Sequence, residues 1–151
     1  MKMLLFIFLE FIFLLSSTDN YKVYRKNLEA APFSSVLCND MLEELKKSDD
    51  KKSKGYYGAY QMIQAKHLFS PFAKLKSFNS GKIKLEQAIK SLPQDVELRY
   101  LRFAIQTSIP KMLNYSANIA KDKEFMLSKI KEQPEPLQSD IKKLIQEKNK
   151  S

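Results

Sequence analysis

GKIKLEQAIKSLPQDVELRYLRFAIQ, residues 81–106, reads as two helices with one break between them. On the first, Leu85, Ala88, Ile89 and Leu92 recur at the spacing of a single helical face, and Asn79 or Ser80 is placed to cap it. Pro93 stops that helix because it has no N–H to donate, and Asp95 offers a carboxylate to the first free N–H groups of the next. At 100° per residue the second helix is apolar around most of its circumference, with Val96, Tyr100, Phe103 and Ala104 on one side and Leu98, Leu101 and Ile105 on the other. Such a helix must be central to a bundle. Its polar stripe is Asp95, Arg99, Arg102 and Gln106. Glu97 stands apart from that stripe among Tyr100, Leu101 and Ala104, where a carboxylate needs a buried partner or an open groove.

The helical period extends in both directions. Asp19 caps a first helix whose apolar face is Tyr21, Tyr24, Leu28 and Ala31, and Pro32 ends it. Ser34 or Ser35 caps a second, carrying Leu37, Cys38, Met41, Leu42 and Leu45. Residues 46–54, KKSDDKKSK, read as the solvated end of that helix plus a loop. A tyrosine-rich third helix over Gly55–Phe69 is closed by Pro71, and Phe72, Leu75 and Phe78, three apart, predict a short helical connector lying back on the core. Pro110 closes the central helix. Beyond it Met112, Leu113, Tyr115 and Ile119 lack a sustained period, so an extended or partly helical segment is expected to cross the Glu97 side of that helix. There the Tyr115 hydroxyl, or a neighbouring N–H, would satisfy Glu97. From Asp122 a helix with Phe125 or Met126, Leu127 and Ile130 runs to the break at Pro134 and Pro136. The last helix aligns Leu137, Ile141, Leu144 and Ile145.

Of the 151 residues, 44% are hydrophobic and 11% aromatic, enough to build one core. Three glycines and six prolines are too few turn formers for a many-stranded sandwich or barrel. The expected class is all-α: antiparallel helical hairpins, six or seven helices, in one domain over residues 19–151.

Residues 1–18 read separately, as a signal peptide. Lys2 supplies a positive start, residues 3–15 are an apolar run of 13 interrupted by Glu10, and Ser16, Ser17 and Thr18 follow as small residues. The run is shorter than the roughly 20 residues a membrane-spanning helix needs. Cleavage is expected after Thr18 or Ser17, with an uncleaved signal anchor as the competing reading. The mature domain would then be exported, periplasmic or secreted, with no stable membrane insertion after cleavage.

Residue types narrow the function further. A single cysteine, Cys38, forms no internal disulfide and is placed as a small buried hydrophobe. His67 shares a stripe with Tyr56, Tyr60 and Ile63 and reads as a hydrogen-bonded core residue. The net charge of +9 rests on lysine spread along every helix, with arginine only at 25, 99 and 102. Nucleic-acid recognition favours concentrated arginine, so no nucleic-acid partner is expected; a loose, salt-sensitive attraction to anionic lipid or an acidic polymer fits the charge. No Ser/His/Asp or Cys/His grouping stands out, and one histidine with one cysteine makes a poor zinc set. No enzyme, cofactor or metal is therefore expected.

Gly81, Leu85, Ala88 and Pro93, at offsets of four, three and five, resemble one helix and turn of a tetratricopeptide repeat. The following repeat's aromatic and leucine–glycine positions are occupied instead by Arg99, Arg102 and Phe103, so a 34-residue array is not expected. A longer resemblance runs through residues 65–89, 93–106, 109–115 and 121–126. These segments look like a family of small exported proteins from Bacteroidetes bacteria. The resemblance implies an all-helical, repeat-like fold without known activity, and marks Glu97, Arg99, Arg102, Pro110, Leu113, Tyr115 and Asp122 as signature positions. With Asp95, the polar residues among them form the candidate site: a network tying the segment after Pro110 to the central helix, or a ligand or partner site. Two function classes result. One is a non-enzymatic interaction protein of the cell envelope that binds a protein or peptide. The other is a binding module for a small anionic ligand or envelope polymer, using the Arg99/Arg102 stripe.

Overall fold

A computed structural model describes residues 20–150, and it is all-α, with no strand among them. The expected signal peptide and the Asp19 cap lie outside the described residues. Seven α-helices follow one another: α1 (residues 20–30), α2 (Ser35–Leu45), α3 (Lys51–Gln64), α4 (Pro71–Ser91), α5 (Val96–Gln106), α6 (Ile119–Lys129) and α7 (Glu135–Asn149). Four start where a short polar side chain takes up a free N–H, as expected of N-caps. Ser34 accepts from Leu37, Asp50 from Ser53, Ser70 from Ala73 and Asp95 from Leu98.

The central position of α5 follows from its apolar circumference: Val96, Leu98, Tyr100, Leu101, Phe103 and Ile105 are all buried. Helices α3, α4, α6 and α7 pack around it. The tightest pair is α3 with α4. They cross where Gly58 faces Gly81, so closely that a Cβ on Gly58 would stand 2.5 Å from the Gly81 carbonyl oxygen and 2.8 Å from the Leu85 nitrogen. Only glycine lets two helix backbones meet at that separation.

Several boundaries differ from the sequence reading. Lys51–Lys54 already belong to α3, because Asp50 caps the helix and the loop shrinks to residues 46–50. The connector at Phe72–Phe78 and the helix after it are one helix of 21 residues. Asn79 and Ser80 are thus interior residues and not caps. Phe78 and Gly81 are buried on either side of them, and packing against α3 carries the helix through residues of poor propensity. Phe72 and Leu75 do not lie back on the core; both are exposed. Helix α5 ends at Gln106, before Pro110, where Thr107 turns its hydroxyl onto the Phe103 carbonyl at 2.7 Å. A short 3-10 turn, Lys111–Leu113, then leads to Asn114 at φ 52°, ψ 41°. Asparagine tolerates this left-handed conformation, and it redirects the chain so that Tyr115 enters the core. Helix α6 begins at Ile119, which places Asp122 inside its first turn.

Candidate functional site

Two buried charge clusters flank α5, and the six candidate residues divide between them. The first surrounds Glu97. Arg25, from α1, donates through Nη1 to the Glu97 carboxylate and through Nε to Asp140 of α7 at 2.7 Å. Tyr56, from α3, donates its hydroxyl to the same Glu97 oxygen at 2.5 Å. Lys52 stands 3.5 Å from the other oxygen and 2.8 Å from Asp95. Asp95 therefore both caps α5 and joins this cluster, away from the arginines with which it shares a stripe. Burial pulls the Lys52 ammonium down, but Asp95 and Glu97 outweigh it and leave the group above the ordinary lysine value. Burial and the Glu97 charge push the Tyr56 hydroxyl well up, so it stays a donor. A cleft of about 280 Å³ opens onto this cluster between Tyr21, Lys22, Lys52 and the Pro134–Leu137 turn.

The second cluster joins α5 to α6. Arg102 grips Asp122 with Nε and Nη2, each 2.7 Å from a different carboxylate oxygen, and reaches Glu86 of α4 through Nη1 at 2.7 Å. Arg99 adds a weaker bond to Asp122 at 3.3 Å and one to the Pro93 carbonyl at 3.2 Å, its guanidinium lying over the Phe125 ring. Tyr115 donates to the other Glu86 oxygen at 2.5 Å. Two guanidinium groups thus meet two carboxylates, and the charges of this cluster cancel within the chain.

Tyr115 accordingly does not sit against Glu97. It packs on α4, with the Phe78 ring edge-on at 6.2 Å and Lys82 over its face at 4.7 Å, on the Arg102 side of α5. Glu97 was already supplied by donors from α1 and α3, and the left-handed turn at Asn114 delivers Tyr115 to the other side. Arg25, Tyr56, Lys52, Glu86 and Asp140 escaped the sequence reading. Arg25 alone carried a usable signal, as the one arginine outside α5 in a chain of lysines.

The remaining singular residues are structural. Cys38 is wholly buried, and burial pushes its thiol up to about 11. His67 places Nε2 2.7 Å from the Ala31 carbonyl oxygen and so ties the turn after α3 to the turn after α1. Among the described residues, no three of histidine, cysteine, aspartate and glutamate converge as a metal site. No helix there is long and apolar enough to cross a membrane.

That His67 tie gathers three phenylalanines at one end of the bundle. Phe33 is 84% exposed, Phe72 77%, and Phe69 stands fully in solvent. Lys66 lies 4.6 Å from the Phe33 ring centre. Three such side chains outside the core leave apolar surface without an intramolecular partner. No family model, curated protein or solved structure matches the chain.

Proposed function

We propose that this is a non-enzymatic, exported interaction protein of the cell envelope, periplasmic or secreted, related to the small Bacteroidetes proteins it resembles. The tetratricopeptide-like hairpin around Pro93 is part of that reading. The observation that carries it is the placement of Phe33, Phe69 and Phe72 at one exposed end, while the charged residues of both clusters are spent on one another. Apolar side chains held outward by a rigid frame serve contact with something else. The alternative, an anionic ligand on the Arg99/Arg102 stripe, meets guanidinium groups already engaged by Asp122 and Glu86.

A full-length variant with Phe33→Ser, Phe69→Ser and Phe72→Ser tests the reading. It should melt within the few degrees that surface substitutions produce, yet lose its sedimentation with envelope fractions of the encoding organism. Undiminished sedimentation would overturn the assignment of this end as the contact surface.

A further inference from the structure

We propose that the outward face of α4, with Phe33 and Phe69 beside it, docks on the surface of an anionic lipid bilayer. The inference rests on the interaction reading above and names its partner. On the solvent side of α4, Phe72, Leu75 and Ile83 are all exposed, and at 100° per residue they fall within about 80° of one another. With the exposed Asn79 between Leu75 and Ile83, they form a largely apolar stripe facing away from the core. From residue 65 to residue 85 the chain contains Lys66, Lys74, Lys76, Lys82 and Lys84 and neither aspartate nor glutamate. The one acidic residue of α4, Glu86, is taken up by Arg102 and Tyr115.

This combination selects among occupants. A stripe of Phe, Leu and Ile edged by lysine on the outer curve of a helix matches a flat interface, where rings enter the headgroup region and ammonium groups meet lipid phosphate. An extended peptide would need flanking walls to read its side chains. A second copy of the chain would bring lysines against lysines. Nucleic acid would find no arginine on this face.

The chain has no tryptophan, so Phe72→Trp installs a single reporter at an exposed position of the stripe. Full-length protein carrying it is titrated with vesicles of phosphatidylcholine, alone or mixed with phosphatidylglycerol. Emission should move to shorter wavelength, and brominated acyl chains should quench it, only when phosphatidylglycerol is present; high salt should reverse both effects. Lys76 and Lys82 stand at the two edges of the stripe, and replacing both by Gln should weaken partitioning roughly thirty-fold, at about fivefold per lysine. Val23→Trp, close in sequence to the apolar run at residues 3–15, is the companion reporter. A shift at position 23 with none at 72 would mean that the N-terminal run holds the vesicle, and would overturn the proposal. Silence of the Phe72→Trp reporter with both vesicles, while the triple serine variant still loses envelope sedimentation, would also overturn it. In that outcome the interaction reading stands and the partner is a protein.

Discussion

Arg102 and Asp122 meet side-on, Nε to one carboxylate oxygen and Nη2 to the other, both at 2.7 Å, with no solvent access to the carboxylate. This fork pins α6 to the central helix. Removing one member strands the other in the core, so Arg102→Ala and Asp122→Ala should each cost about 3–5 kcal/mol in urea unfolding. Arg99→Ala should cost only about 1 kcal/mol, because Asp122 keeps both bonds from Arg102. A larger loss at Arg99 than at Arg102 would show that the Pro93 carbonyl and the Phe125 ring carry the attachment instead.

The two buried tyrosines that serve carboxylates should separate by their acceptors. Tyr56 donates to Glu97, buried within the core, and Tyr56→Phe should cost about 1.5–3 kcal/mol, as for a hydrogen bond to a charged group. Tyr115 donates to Glu86, whose side chain is 36% exposed, so water can replace the hydroxyl and Tyr115→Phe should cost about 1 kcal/mol. Thermal unfolding of both variants would establish the ranking.

Gly58→Ala offers a test by sign. In an open helix this change gains up to about 1 kcal/mol of propensity. Here the new methyl would run into the backbone of α4, which cannot swing aside as a side chain can, and the net effect should be a loss of about 1–3 kcal/mol. Stabilisation would mean that α3 and α4 separate in solution.

Acid should weaken the start of α3. Burial pushes the Asp50 carboxyl up, but the Tyr21 hydroxyl and the Ser53 N–H outweigh it and hold the group below its ordinary value. With a lower pKa folded than unfolded, its stabilising contribution is complete above about pH 4 and is lost as pH falls through the folded value. The advantage of wild type over Asp50→Asn should therefore be constant near neutrality and shrink below about pH 4. A constant difference throughout the acid range would remove Asp50 from the acid response.

What the sequence carried was local. The stop at Pro93, the cap at Asp95 and the apolar circumference of α5 are written within a dozen residues, and all three stand in the structure. Arg102 and Asp122 entered the candidate network through the resemblance, and their grip on one another was not legible, since 20 residues separate them. Glu97 announced a need for partners without naming them: Arg25 is 72 residues away and Tyr56 41, and no spacing rule spans such distances. The unbroken run of α4 was hidden for the same reason. Asn79, Ser80 and Gly81 have the chemistry of a helix start, and only the approach of α3 turns Gly81 into a crossing point.

Arg25 also sets a condition on when the bundle can close. It joins Glu97 to Asp140, and the second of these lies 115 residues further along the chain. A polypeptide made N-terminus first presents the guanidinium well before either acceptor. Without α7, Leu137, Ile141 and Ile145 would be missing from the core, and the Arg25 side chain would lose one of its two anchors. The fold thus ties α1 to α7, and a polypeptide lacking α7 should keep the Arg25–Glu97 contact alone and be cut more readily by proteases.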